Sequence, residues 1–258
     1  MKTLVIKIGG STLGKNDTTI EDLVMLQKGG MPMVVIHGGG QAVSDWLVRL
    51  GISTGFVRGL RITDLETLRV VTAVLAGLVN KELVSAIWRL GGRTVGLSGA
   101  DGSLIWASNK TPELGYTGEE LEVDIALLEI LLEAGYIPVI APVSLGSLEK
   151  SGEDTNLLNV NGDTAAGEIA AALSAEKLIF LTDVPGLYDS SKRLLYRLSP
   201  DEARNLIASG VASGGMEAKI EACLRALTAV SVTRIIDGRV SHALLNEIEG
   251  RGGGTTIG

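Results

Sequence analysis

The chain has 258 residues, 45% of them apolar, enough to bury a substantial core in one large domain or in two lobes on a shared core. A net charge of −7 with no Lys/Arg cluster argues against a nucleic-acid partner. The single cysteine, Cys223, excludes an internal disulfide, and two distant histidines, His37 and His242, argue against a histidine metal site. No run of eighteen apolar residues is present and Lys7 interrupts the N-terminal apolar stretch, so the expectation is a soluble cytoplasmic protein with no membrane partner.

Residues Thr3–Ile8 read as a buried strand that meets Gly9-Gly10. A helix is expected over 18–28, with Thr18 or Thr19 as N-cap and Glu21 and Asp22 in its first turn. Met33–Ile36 is a second buried strand; it enters His37-Gly38-Gly39-Gly40, and a helix follows to Leu50. Phe56–Thr63 reads as a strand carrying Arg58 and Arg61, and Thr63 or Asp64 then caps a long helix to about Leu90. A strand at 93–98 is expected to turn through Asp101-Gly102, as a hairpin, into Leu104–Ala107. Hairpins and loops follow over 107–123, a helix over 124–134, the strand Ile137–Ala141, and a polar irregular excursion over 142–158. The remainder reads as a helix over 163–173, the strand Leu178–Thr182, helices over 200–209 and 215–229, the strand Val232–Ile236 and a helix over 241–248.

Strands apolar on both faces that alternate with helices predict a three-layer αβα sandwich around a mainly parallel central sheet. A boundary near 150–175 would divide it into lobes 1–160 and 161–258. No Pro- or Ser-rich linker separates them, so they are expected to share the sheet.

The glycines are placed informatively. Gly9-Gly10-Ser11 and Gly38-Gly39-Gly40 both follow apolar strands, at the strand ends where open α/β sheets bind ligands. Glycine turns ahead of helices expose backbone N–H groups suited to phosphate. Gly9-xxxx-Gly14-Lys15 nearly spells a P-loop, but Asn16 stands where Ser or Thr would ligate Mg²⁺, so that reading is set aside. Lys7 lies among Val5, Ile6 and Ile8; there an ammonium is costly unless it meets an anion, the bland alternative being an edge strand that faces water. Asn159-Val160-Asn161-Gly162-Asp163 offers three polar residues where helix capping needs one. Lys219, alone, is an ordinary helical lysine.

Read together and in order, Lys7-Ile8-Gly9-Gly10-Ser11, His37-Gly38-Gly39-Gly40, Gly59-Leu60-Arg61-Ile62-Thr63, Asn159-Val160-Asn161-Gly162-Asp163, Leu181-Thr182-Asp183-Val184-Pro185-Gly186 and Gly214-Gly215-Met216-x-x-Lys219 resemble the amino-acid kinase family, and within it the N-acetylglutamate kinases, over nearly the whole chain. The resemblance implies ATP and Mg²⁺ acting on N-acetyl-L-glutamate to give an acyl phosphate and ADP, in arginine biosynthesis. It makes Lys7 and Lys219 the groups that stabilise the moving phosphoryl, with Asp163 orienting both. It gives the substrate to Gly39, Gly40, Arg61 and Asn159, and the nucleotide to Gly9, Gly10, Ser11, to Asp183, Val184, Pro185, Gly186, Leu187 and Tyr188, and to Val211, Ala212 and Ser213. Mg²⁺ is expected on the ATP phosphates, with no protein metal ligands.

A carboxylate is already a nucleophile at pH 7, so such a reaction needs alignment and charge stabilisation and no general base. Arginine-inhibited relatives carry a helix ahead of the first strand; with a strand starting at Thr3, a homodimer insensitive to arginine is expected. The rival inside the family is a kinase for 2-aminoadipate or glutamate linked to an acidic carrier. Lys110 as the one base in Ala107–Glu120 favours a free substrate. The rival outside it is a non-catalytic amino-acid or nucleotide sensor, against which Lys7, Asp163 and Lys219 all stand.

Overall fold

Strands apolar on both faces set the architecture of the protein, which the computed structural model describes over residues 3–9, 18–146 and 155–258. In chain order the strands are β1 (Leu4–Ile8), β2 (Met33–His37), β3 (Phe56–Val57), β4 (Leu60–Arg61), β5 (Thr94–Ser98), β6 (Ile105–Ser108), β7 (Thr117–Gly118), β8 (Glu120–Val123) and β9 (Ile137–Ala141). They continue with β10 (Val143–Gly146), β11 (Leu157–Val160), β12 (Lys177–Thr182), β13 (Leu187–Tyr188), β14 (Leu194–Leu195), β15 (Arg197–Leu198), β16 (Thr233–Asp237) and β17 (Thr255–Ile257). The helices are α1 (Thr19–Lys28), α2 (Gly40–Arg49), α3 (Leu65–Arg89), α4 (Ala126–Glu133), α5 (Gly162–Ala172), α6 (Pro200–Ala208), α7 (Gly215–Ala226) and α8 (Ala243–Ile248).

Successive side chains of a strand point to opposite faces. Val5, Val34, Ile36 and Phe180 therefore enter one core, and Leu4, Ile6, Met33, Val35 and Ile179 enter another. Each face needs cover. α4, α5 and α7 supply it on the first side, through residues such as Leu128, Ile169 and Ile220. α1, the end of α3 and α8 supply it on the second, through Leu23, Ile87 and Leu244. The result is the expected three-layer sandwich. Its eight-stranded sheet runs β15-β17-β16-β12-β1-β2-β9-β5, parallel except that β17 opposes β16. Strands from before and after residue 160 meet where β1 pairs with β12.

A second sheet, β7-β11-β10-β6-β8, is built from strands before and after β9 in the chain and changes two expectations, and the separate pair β3-β4 changes a third. Asp101-Gly102 forms a single 3-10 turn rather than a hairpin, because β5 belongs to the main sheet and β6 to the second. The span 142–158 contains β10 and the start of β11, paired antiparallel; 147–154 lie outside the described residues. Phe56–Thr63 is not one strand but the hairpin β3–β4, turned by Arg58 (φ 49°) and Gly59 (φ 78°). Both central residues of such a two-residue turn take positive φ to match the strand twist. The C-terminal strand β17 was also not expected.

Caps were half legible. Asp64 caps α3 by accepting the Thr67 N–H at 2.7 Å. Thr18 precedes α1 but spends its Oγ1 on the His242 N–H, at 2.6 Å. α3 is a 25-residue helix, long and apolar enough to cross a membrane by length and composition. In this fold it buries Leu68, Val71, Val74, Leu75, Leu83 and Ile87 in the protein core. Its middle, Ala73–Val79, is wound as a π-helix.

Candidate active site

The register of the parallel strands gathers the glycine loops at one edge. Ile8 stands level with His37 on one side and Leu181 on the other, so Gly9, Gly38 and Asp183 leave the sheet together. Gly10, Ser11 and the P-loop-like residues through Asn16 lie outside the described residues.

Lys7 shares its strand face with Val5, the face covered by α5. It is buried at 7% exposure in a central strand, which disposes of the edge-strand alternative. α5 starts at Asn161, whose Oδ1 accepts the N–H groups of Asp163 (2.8 Å) and Thr164 (3.2 Å). That cap fixes Asp163 in the first turn, pointing back at the sheet edge. Asp163 Oδ1 lies 2.6 Å from Lys7 Nζ, and its Oδ2 accepts from Lys219 Nζ at 3.0 Å. Lys219 reaches it because α5 and α7 cross very closely. A Cβ at Gly167, one turn past Asp163, would sit 2.7 Å from the Ala222 carbonyl oxygen.

Burial alone would raise the Asp163 pKa; the charges of Lys7 and Lys219, with their hydrogen bonds, overcome that and hold it below the usual carboxylate range. One carboxylate between two ammonium groups leaves one net positive charge, despite the acidic chain.

Beside this triad is a cleft of about 220 Å³, lined by the glycine triplet, Arg61 and the Asn159–Asp163 segment. Gly39 (φ 145°) packs against α3, where a Cβ would come within 2.6 Å of Leu75 Cδ2, so the chain can pass there only as glycine. The N–H groups of Gly39 and Gly40 meet no protein acceptor among the described residues. Gly40 opens α2, so the positive helix end also faces the cleft.

Arg61 is buried, and burial lowers its pKa from that of a free guanidinium. Its Nη2 donates to the Gly40 carbonyl (3.0 Å) and to Ser44 Oγ (2.8 Å), and its guanidinium lies 4.6 Å from the Phe56 ring centre. Behind it, Thr117 Oγ1 and Thr63 Oγ1 donate to the Arg61 carbonyl, and Asn159 Nδ2 donates to Thr63 Oγ1 at 3.0 Å. Arg61 and Asn159 are thus parts of one network, as their separate motifs did not reveal. Ser44, Phe56, Thr63 and Thr117 were not foreseen. Phe56 had a readable signal, since the turn Arg58-Gly59 makes it the cross-strand partner of Arg61.

Of the residues assigned to a nucleotide, Gly9, Asp183–Tyr188 and 211–213 are not among those that line this cleft. Asp183–Tyr188 leave β12 at the same sheet edge, and Gly186 (φ 153°) lies against Thr255, whose Oγ1 accepts the Leu187 N–H at 2.8 Å. Leu187 and Ala212 are buried side chains, so they offer a ligand backbone only, whereas Tyr188 and Val211 are exposed. Arg239, also unforeseen, pairs with Asp237 at 2.7 Å and feels the charge of Asp183. Among the described residues no three His, Cys, Asp or Glu side chains are grouped to hold a metal ion.

A parallel sheet with glycine loops and two lysines on one aspartate at its carboxyl edge is the arrangement of a phosphoryl-transfer enzyme. Residues 2–237 match the amino acid kinase family, and the chain belongs to it. Its relatives include the acetylglutamate kinase of Dehalococcoides mccartyi (strain ATCC BAA-2266 / KCTC 15142 / 195), 46% identical over 99% of this chain and 94% of that one. They also include the acetylglutamate kinase of Thermosynechococcus vestitus (strain NIES-2133 / IAM M-273 / BP-1), 48% identical over 96% of this chain and 84% of that one. Among solved structures, smu.665 from Streptococcus mutans UA159 superposes with a TM-score of 0.84 at 26% identity, covering 100% of this chain and 99% of that one. N-acetylglutamate synthase from Neisseria gonorrhoeae, complexed with coenzyme A and N-acetyl-glutamate, gives 0.84 at 27% identity over 99% of this chain and 59% of that one.

Proposed function

We propose that the protein transfers the γ-phosphoryl group of ATP to the side-chain carboxylate of N-acetyl-L-glutamate, releasing ADP and an acyl phosphate, in arginine biosynthesis. The observation that carries this reading is the Lys7–Asp163–Lys219 triad beside the cleft of Gly39, Gly40, Arg61 and Asn159. The relatives named acetylglutamate kinase supply the substrate.

The chemistry is governed by charge. A carboxylate oxygen attacks the γ-phosphorus, a new O–P bond forms, and the bond to the bridging oxygen of ADP breaks. Two anions must meet, and the net positive charge of the triad lowers that cost where it develops. Asp163 holds both ammonium groups in place before the substrates arrive. The free N–H groups of Gly39 and Gly40 donate to the acceptor and the moving phosphoryl. Arg61 takes the α-carboxylate through Nη1, which donates to nothing among the described residues, while Nη2 stays on Gly40 and Ser44. Asn159 Oδ1 accepts from the N-acetyl N–H. No proton needs to be removed, so no general base is needed.

ATP lies along Gly9 and over the part of the edge formed by residues after 160, Asp183–Tyr188 and 211–213. Residues 1–160 are thus the acceptor lobe and residues 161–258 the nucleotide lobe. Asp163 is already bound by two ammonium groups, so Mg²⁺ enters on the ATP phosphates as part of the substrate. The enzyme works in the cytoplasm as a homodimer, with no nucleic-acid or membrane partner; exposed Leu78 and Trp88 on α3 offer apolar surface to a second copy, which light scattering tests. Activity is tested by coupled ADP release: N-acetylglutamate should elicit it, and glutamate or aspartate should not. Release that is independent of N-acetylglutamate would overturn the reading.

A further inference from the structure

His37 is the residue of the glycine triplet motif that the phosphoryl-transfer reading leaves without a task. It is the last residue of β2 and fully buried, yet its ring is bonded at both nitrogens. Nδ1 lies 2.7 Å from the Gly38 carbonyl oxygen, an atom that can only accept, so Nδ1 carries the proton. Nε2 then accepts from Asn80 Nδ2 at 3.2 Å. Burial, with the nearby charges of Lys7 and Lys81, pushes the His37 pKa down to about 4, which keeps this neutral tautomer.

Asn80 is itself held. Its Nδ2 also donates to the Val139 carbonyl at 2.9 Å, with the Leu97 carbonyl at 3.2 Å sharing the hydrogen aimed at the imidazole, and its Oδ1 accepts from Lys81 Nζ at 2.9 Å. It comes directly after the π-helical stretch Ala73–Val79, whose Leu75 and Val79 pack on Gly39. An extra residue in a helical turn shifts the register of the residues beyond it. Here the same stretch buttresses the glycine loop and delivers Asn80 to the imidazole.

The consequence runs through one peptide plane. The Gly38–Gly39 bond is trans, so its N–H points opposite to its C=O. Pinning the Gly38 carbonyl to the imidazole turns the Gly39 N–H the other way, onto the cleft side, where it has no protein acceptor among the described residues. Glycine on both sides would otherwise let this peptide rotate freely.

We propose that His37, held by Asn80, is a positioning residue that sets the Gly38–Gly39 peptide so that its N–H donates to the reacting groups. The inference rests on the acyl-phosphate reading for the identity of those groups. The test compares His37→Asn, which keeps an N–H donor near the Nδ1 position, with His37→Leu, which keeps apolar volume and no donor. kcat should fall on the order of 100-fold in His37→Leu, the usual scale for one lost transition-state donor. The KM for MgATP should stay unchanged, and His37→Asn should recover to within about tenfold of the native rate. A purely packing role predicts the reverse order, with Leu the better replacement, and would overturn the proposal. If His37→Leu does not fold, His37→Gln takes its place, because its donor lies near Nε2 rather than Nδ1; a rate equal to that of His37→Asn would also overturn it. If the native protein fails to phosphorylate N-acetylglutamate, the substrate reading fails separately. The inference is then decided by crystal structures: a Gly38 peptide rotated in His37→Leu but not in His37→Asn supports it, and one unmoved in both contradicts it.

Discussion

The two sides of the cleft are built from different materials. On the proposed acceptor side the polar side chains are each tied to a second group, Arg61 to Gly40 and Ser44 and Asn159 to Thr63, beside the backbone N–H groups of Gly39 and Gly40. On the proposed nucleotide side the described residues follow β12 and α6, with Leu187 and Ala212 buried and Pro185, Tyr188 and Val211 exposed. The difference fits the tasks proposed for them. A small dicarboxylate is recognised by a few directed charges, and a buried polar network makes their positions unique. A nucleotide offers a large flat base and a ribose, which backbone groups and apolar surface suffice to hold.

Lys219 lies between the two sides, and its loss has the largest expected effect. Lys219→Ala should lower kcat about 10²–10³-fold, or roughly 3–4 kcal/mol, with little change in either KM, because the charge acts most in the transition state. Steady-state kinetics with both substrates varied checks it. A large rise in the KM for ATP with kcat intact would place Lys219 wholly on the nucleotide side.

The next effect sharpens the comparison from the acceptor side. Arg61→Lys keeps the charge but loses the planar guanidinium, which bonds Gly40 and Ser44 while Nη1 meets the carboxylate, and the stacking on Phe56. The KM for N-acetylglutamate should rise about tenfold while that for ATP stays put. Tyr188→Ala is its mirror: the KM for ATP should rise a few-fold, on the scale of one lost aromatic contact, and that for the acceptor should not move. If both variants moved both constants equally, the division into two sides would fail.

The smallest effect is a control on the frame. Asp64 caps α3, the helix that supports the glycine loop, and Asp64→Ala should cost about 1 kcal/mol of stability in denaturant titrations without altering either KM. The bond from the Thr67 N–H lowers the Asp64 pKa below its ordinary 3.8. Since the folded state favours the ionised form, that stability is fully present above pH 3.8 and fades as pH falls through the lower, folded-state value. The stability difference between native protein and variant should therefore shrink only below about pH 4.

The layered fold was legible because its signals are local. Runs such as Leu4–Ile8 and Leu178–Leu181 are apolar on both faces, and glycine ends most of the helices. The second sheet was not legible, since its short strands are fixed by partners distant in sequence: Val143 pairs with Asn159, and Leu145 with Trp106. The hairpin around Arg58-Gly59 was hidden because arginine rarely takes positive φ, so only its glycine marked a turn. For the site, the residue types that carry charge stood out, and the structure brings Lys7, Asp163 and Lys219 into contact. The groups that support them did not stand out. Gly167, Ser44, Thr63 and Thr117 are ordinary residues whose value comes from a neighbour: a helix crossing in one case and shared hydrogen bonds in the others. The role proposed for His37 was equally invisible, because it depends on Asn80, forty-three positions away.

The most direct measurement is to trap the product. An acyl phosphate reacts with hydroxylamine to give a hydroxamate, which is seen by colour and mass. With MgATP, N-acetylglutamate should yield the hydroxamate of its side-chain carboxyl in step with ADP, and Lys219→Ala should yield both at least about 100 times more slowly. ADP formed without hydroxamate, or hydroxamate formed as readily from unacylated glutamate, would contradict the account.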